Sequence, residues 1–338
     1  MTKVTRIAVD VMGGDKGLQP VLDAVLRVNA EVSNTEFTLV GNQELIQNHL
    51  QQIHSSTLSS LKILHADDQV FMHDKPAVVL RQKKESSMWK ALELVGSGEV
   101  DACVSGGNTG ALMAMGKYLL KTFPGIDRPA ICKAIPSRKG HCYLLDLGAN
   151  INCSAEQLLQ FAFMGTVLAT ACDDNPRPGV GLLNIGEENI KGIEQVRLAA
   201  DLLQQQDKIN FIGFVEGNEI YVGDVDVVVC DGFVGNIALK VSEGAARFLA
   251  DSVREVFNSS LYGRLVGKIA NPIVNRWRKQ YDPVRHNGAS FLGLQGTVIK
   301  SHGGADSRGF YHALLMAIDH VNNRIPEKIN AQFGELFA

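Results

Sequence analysis

The chain has 338 residues, 45% of them hydrophobic and 20% charged, with a formal net charge of −3. These proportions exclude a disordered or fibrous protein, and the charge excludes a globally basic nucleic-acid binder while leaving room for a local basic face. No stretch approaches the ~20 apolar residues of a membrane span, and the start MTKVTRIAVDVMGGD lacks the long apolar core of a secretory signal, so a cytoplasmic protein is expected.

In chain order, Thr5 to Val11 is rich in Val, Ile and Ala, which suits a strand buried on both faces and ending at Asp10. MGGDKG follows, then a helical stretch from Pro20 to Val28. Further apolar runs lie near Phe37, Ile63, Val104, Leu144, Leu183, Ile212, Val228 and Ile299, and most precede a helical period such as Glu156 to Thr170 or Ile237 to Asp251. Strands alternating with helices predict an α/β fold with a mainly parallel sheet covered on both faces. No repeat, low-complexity tract or Pro- or Ser-rich linker divides the chain, so residues 1–338 read as a single α/β domain. The six cysteines sit mostly in apolar runs, none in a CxxC pair, and read as buried free thiols.

Within Val100 to Met115, VDACVSGGNTGALMAM, an apolar run passes through Gly106, Gly107, Asn108, Thr109 and Gly110 into a helix-favouring segment. Such a corner aims free backbone N–H groups at whatever lies in front of it, and glycines let an anion come close. Alone it fits a tight connection equally well, because it has neither the GxGxxG spacing nor the GK[ST] ending. Similar corners follow other runs: Asp10, Gly13, Gly14 and Asp15; Asn184 to Glu188; Asp231, Gly235 and Asn236; and Ser301 to Asp306. In a parallel sheet all of them leave by one edge, so they are expected to form one cleft lined with N–H donors. Lys191, Lys240 and the glycine loops supply what a phosphate dianion needs. Asp10, Asp15 and Asp231 repel an anion and suit bracing loop amides or orienting a lysine. His302, beside two glycines, reads equally as a loop histidine or a catalyst. The paired acids Asp67–Asp68 and Glu187–Glu188 read as solvated faces, so no metal and no cofactor is expected.

Between Glu255 and Asp282 there is no acidic residue, while Arg264, Lys268, Arg276, Arg278 and Lys279 are basic. Leu261, Leu265, Ile269, Ile273 and Trp277 recur every four positions and make an apolar stripe along a helix, which Pro272 is expected to break in two. This basic amphipathic excursion, 255–282, suits a subunit contact, an anionic membrane surface or docking of an acidic partner.

The motifs AVDVMGGD, RQKKESSM, ACVSGGNTGALM, GIDRPA, LLDLGAN, FAFMGTVLA, GLLNIGEENIKG, DVVVCDGFVGNIALK, NGASFLGL and TVIKSHGGADS occur in this order along nearly the whole chain. With them the sequence resembles the bacterial phosphate acyltransferases of phospholipid synthesis, the PlsX family. Gly106 stands where that family's SAGNTG has alanine, and the SHGG turn is richer in glycine than expected. The resemblance implies transfer of a long-chain acyl group from acyl carrier protein to inorganic phosphate. It implies a three-layer, doubly wound, mainly parallel sheet similar to phosphotransacetylases and the isocitrate dehydrogenase-like group, with a protruding helical segment. A homodimer, peripheral contact with the inner face of the membrane, and a downstream glycerol-3-phosphate acyltransferase that uses acyl phosphate are implied as well.

Phosphate is already a nucleophile at neutral pH, so positioning and charge management are expected to dominate. Gly107, Asn108 and Thr109 are expected to hold it, Lys191 to neutralise and aim it, and N–H groups near Gly235 and Asn236, or the Asn236 side chain, to meet the oxyanion. A protonated His302 would assist the departing thiolate. A transferase using coenzyme A thioesters, or a phosphate-sensing membrane scaffold without turnover, is the alternative reading.

Overall fold

The computed structural model describes residues 4–51, 61–188, 190–280 and 283–337, without the side chains at 275, 277–280, 283 and 335–337. The first half follows the alternation expected from the apolar runs. It comprises β1 (Thr5–Asp10), α1 (Gln19–Glu31), β2 (Thr35–Gly41), α2 (Gln43–Gln51), β3 (Leu61–His65), α3 (Pro76–Gln82), α4 (Ser87–Gly96), β4 (Ala102–Ser105) and α5 (Thr109–Leu120). Next come β5 (Ala130–Ser137), β6 (Gly140–Leu145), α6 (Ala155–Cys172), β7 (Gly179–Leu183), α7 (Glu194–Gln204), β8 (Asn210–Val215) and β9 (Val227–Val229). The chain ends with α8 (Gly232–Asn258), α9 (Leu261–Gln280), β10 (Ala289–Leu292), β11 (Thr297–Lys300), α10 (Ser307–Asn322) and α11 (Ile325–Phe337).

Short polar side chains explain where the helices start. Asn108, Ser154, Asp231 and Asp306 each cap the helix that follows by accepting a first-turn N–H, and Ser154 with Gln157 forms a reciprocal capping box. All the strands join one 11-stranded sheet in the order β3-β2-β1-β4-β11-β10-β5-β6-β9-β7-β8. One face packs on α4 and α5 around Met88, Leu92 and Leu112. The other face carries α1 and α10 over the first half, and α6, α7 and α11 over the second. This is the three-layer arrangement expected.

The polarity of the sheet differs from the expectation in one consequential way. β5 and β10 fall outside the apolar runs, and among the described strands they make the only antiparallel ladders, β11 with β10, β10 with β5 and β5 with β6. Three reversals in succession turn the second half of the sheet upside down relative to the first. The strands ending in Asp10, Ser105 and Lys300 therefore leave by one edge, and those ending in Leu145, Leu183 and Val229 by the opposite edge. The glycine corners form two sets, not one.

Helix α8 departs from the body as one arm of a hairpin with α9. The break falls at Ser259 and Ser260, where Ser260 Oγ accepts the Gly263 N–H at 2.9 Å. Pro272, expected to split the segment, lies inside a continuous α9. It forgoes one main-chain bond, which an exposed stretch tolerates because water can take the freed carbonyl. Leu261, Leu265, Ile269 and Ile273 are exposed on α9, Leu261 at 84%. The side chains of Trp277, Arg278 and Lys279, and Asp282 itself, lie outside the described residues.

Candidate active site

The first set of corners meets at the ends of β1, β4 and β11. Buried Asp10 accepts hydrogen bonds from Ser87 Oγ at 2.6 Å, Ser105 Oγ at 2.7 Å and the Met12 N–H at 3.3 Å. Burial pushes its carboxyl up while these donors and Lys300 oppose the shift. Ser105 Oγ also accepts the Gly107 N–H at 3.0 Å. Gly13 packs so close that a Cβ there would sit 2.7 Å from Gly107 N, so glycine is required. Asp15 N–H donates to Gly303 O at 2.9 Å and joins the third corner. At Gly106 an added Cβ meets nothing nearer than 3.5 Å, so this position accommodates the alanine of the family motif.

Several expected donors are already spent. The Asn108 side chain accepts the Ala111 N–H at 3.0 Å and donates to Met72 O at 2.9 Å and Asp74 O at 3.0 Å. It caps α5 and clamps the loop before α3. With the Gly107 N–H bound to Ser105, the corner's remaining contribution is the main-chain N–H groups of Asn108 and Thr109 at the opening of α5.

Lys300 was passed over in the sequence, although a lysine closing the apolar run TVIK is itself a signal. It is buried, and Nζ donates to Gly106 O at 3.2 Å and to Ser301 O. Burial lowers its pKa to about 8, against the pull of Asp15 and Asp10. His302 is held by its main-chain N–H on Asn287 Oδ1 at 3.2 Å and accepts the Gly304 N–H on Nδ1 at 3.0 Å. That bond leaves the ring proton on Nε2. Burial lowers the His302 pKa, Glu243 raises it, and Lys240, Lys300 and Lys133 lower it further. The expected imidazolium is thus disfavoured, and the ring is a neutral N–H donor.

The second set of corners surrounds Asp146, where Oδ1 accepts from Ile131 N at 2.8 Å and Oδ2 from Asn150 N at 2.6 Å. Asp231 is the N-cap of α8, with Oδ1 accepting the Val234 N–H at 2.9 Å. Gly235 N–H donates to Asp231 O at 2.9 Å, and a Cβ on Gly235 would lie 1.9 Å from Asp146 O. The expectation of oxyanion donors from the main chain at Gly235 and Asn236 is corrected here: Gly235 is spent and sealed, and Asn236 lies beyond the free first turn. Its side chain stands exposed beside Gly148. Lys191 Nζ pairs with Glu188 Oε2 at 2.7 Å after β7, at the edge opposite Asn108. A cavity of about 350 Å³ nearby, along edge strand β8, is lined by Glu187, Glu219 and Asp224 and is too acidic to suit an anion.

Helix α8 bridges the two sets. Asn236, Lys240 and Glu243 are spaced i, i+4, i+7 and share one face of the helix. Glu243 reaches Lys133 of β5 at 3.2 Å and Lys240 at 3.4 Å. Burial raises the Glu243 carboxyl but Lys133 and Lys240 outweigh it, so its pKa is lowered.

Residues 5–328 match the protein family described as fatty acid synthesis protein. The chain is 49% identical over 335 residues to a phosphate acyltransferase of Methylococcus capsulatus, covering 99% of this chain and 98% of that one. It is 52% identical over 326 residues to a phosphate acyltransferase of Nitrosococcus oceani, covering 96% and 95%. This chain belongs to the PlsX family of phosphate acyltransferases. The fold of this family member also resembles a phosphotransacetylase from Streptococcus pyogenes, with a TM-score of 0.62, 16% identity and 95% of each chain covered. That likeness concerns architecture alone. The family motifs fall on the elements just described: AVDVMGGD and ACVSGGNTGALM on the first set of corners, LLDLGAN and DVVVCDGFVGNIALK on the second.

Proposed function

We propose that this chain is a phosphate acyltransferase that moves a long-chain acyl group from the thioester of acyl carrier protein to inorganic phosphate, giving acyl phosphate and the free thiol for phospholipid synthesis. The observation that carries this reading is full-length identity of about half to relatives named phosphate acyltransferase. The glycine corners with lysines beside them suit an oxyanion.

A phosphate oxygen attacks the thioester carbon, the carbonyl oxygen takes up negative charge, and the C–S bond breaks to release the thiolate. The N–H groups of Asn108 and Thr109, with Gly13, Gly14 and Asp15 shaping the approach, hold phosphate, and Lys240 balances its charge. His302 Nε2–H donates to the reacting oxygens or the departing sulfur. Lys191 and the Asn236 side chain, at the second set of corners, guide the incoming thioester arm toward the phosphate. On that reading Lys191→Ala raises the acyl-donor KM ~10-fold, and an unmoved KM removes it from the machinery.

Hydroxylamine trapping of acyl phosphate made from acyl-carrier-protein thioester, with and without inorganic phosphate, tests the reaction. No phosphate-dependent trapped product would leave a non-catalytic phosphate-sensing scaffold. The alternative donors are coenzyme A thioesters, and a side-by-side comparison of the two donors decides.

The exposed apolar residues of α8 and α9, Phe248 at 70% and Ile269 at 72% among them, need a cover. A homodimer through α8 and peripheral seating of α9, with Arg264 and Lys268, on the anionic inner face of the membrane provide it. A glycerol-3-phosphate acyltransferase in that membrane then receives the acyl phosphate. Among the described residues no helix is long and apolar enough to cross a membrane.

A further inference from the structure

The strand registers set a polar row into an apolar face. Lys133 of β5 falls opposite Ala289 of β10, because Cys132 pairs with Ser290 and the strands run antiparallel. Ala289 is paired with Lys300 of β11, Lys300 with Ser105 of β4, and Ser105 with Asp10 of β1. Laterally paired residues point to the same side of a sheet. Lys133, Ala289, Lys300, Ser105 and Asp10 therefore lie in one line across five adjacent strands, above the core face that holds Val298, Ile131 and Phe291. Two lysines flank the smallest side chain of the line, and Ala289 leaves a gap between them.

Helix α8 reaches the Lys133 end of that row. Its Glu243 carboxylate bonds Lys133 at 3.2 Å and Lys240 at 3.4 Å, and the electrostatics of His302 couple it to Glu243, Lys240, Lys300 and Lys133 together. A brace between helix and sheet needs one lysine and one glutamate. Here two ammonium groups bind one monoanion, and Lys300, which feels Asp15 and Asp10 through space, has carbonyls as its hydrogen-bond partners. A dianion balances this set better than a carboxylate does. Through the Gly106 carbonyl, Lys300 also ties the row to the opening of α5.

We infer that Lys133 and Lys300, with Lys240, form the cationic wall of the inorganic phosphate berth that opens at the N–H groups of α5, and that the Glu243 carboxylate occupies this wall until phosphate displaces it. The inference rests on the acyl-transfer reading and extends it to Lys133, Lys300 and Glu243, to which that reading gives no role. A lowered proton affinity at Lys300 accords with it, since an arriving anion restores the charge that burial opposes.

Steady-state trapping assays at varied inorganic phosphate and saturating acyl donor test it with Lys133→Met, Lys300→Met and Glu243→Gln. Each lysine variant is expected to raise the phosphate KM by ~10-fold or more, with the acyl-donor KM within about twofold, and Glu243→Gln to lower the phosphate KM several-fold. Lys133 and Glu243 are partly exposed, so they carry the test if Lys300→Met does not fold. A second arm uses inorganic phosphate alone: it raises the melting temperature of the wild type, less so that of Lys133→Met, and more so that of Glu243→Gln. Turnover with an unmoved phosphate KM in the lysine variants overturns the berth. Phosphate-dependent melting shifts that follow these variants, without any acyl phosphate from the wild type, leave the berth standing and overturn the acyl-transfer reading.

Discussion

Ser105 Oγ donates to the Asp10 carboxylate at 2.7 Å while accepting the Gly107 N–H at 3.0 Å, so the buried acid shapes the glycine corner through a single hydroxyl. Ser87 Oγ holds the other carboxylate oxygen at 2.6 Å. Asp10→Asn replaces an acceptor by a group that offers its own protons to these donors. It is expected to lower the unfolding free energy by ~2 kcal/mol in urea titrations and to raise the phosphate KM. Unchanged stability would show that the network does not hold the corner.

Two glycines of α8 are predicted to respond in opposite directions. A Cβ at Gly235 meets Asp146 O at 1.9 Å, whereas one at Gly244 meets nothing within 4 Å. Gly235→Ala should destabilise by ~3 kcal/mol through overpacking, and Gly244→Ala should stabilise by ~0.5–1 kcal/mol through helix propensity. Differential scanning calorimetry of the pair checks both, and equal melting temperatures contradict the packing described.

Acid should loosen the fold through buried histidines. Burial lowers the pKa of His320, and of His286 with the help of His141 and Lys133, from 6.5 to about 4. Between those values the unfolded chain binds protons that the folded chain refuses, so stability falls as pH drops from about 6.5 to about 4 and levels off below. For fully buried His320 the loss is of order 3 kcal/mol. His320→Leu should flatten the profile in that window, measured as denaturation midpoints against pH, and a wild-type slope in the variant contradicts the assignment.

The α9 stripe makes a surface prediction. Leu265→Glu and Ile269→Glu should each reduce flotation with anionic vesicles by ~10-fold, and vesicles without anionic lipid should bind the wild type weakly. Binding that ignores both the lipid charge and these substitutions leaves the stripe to a protein partner.

The alternating apolar runs and glycine corners made the layered fold and the first edge legible, because hydrophobic periodicity and turn chemistry are local. The polarity of the sheet was not legible. β5 reads AICKAIPS, with a lysine and a proline in it, and β10 is the four-residue ASFL, so neither announces itself as an apolar run. Missing these strands placed Lys191 and Asn236 beside Asn108. Lys133 and Lys300 escaped notice for a related reason: each lies inside a strand, and only the register between strands sets them in one row.

Helix α8 is a stiff rod of about 40 Å. Its root is wedged against Asp146 at Gly235, its fourth turn holds Glu243 over the lysine row, and its far end joins the exposed hairpin. A rod cannot tilt at one end and stay still at the other, so whatever surface captures the hairpin also sets how far the Glu243 carboxylate stands from Lys133.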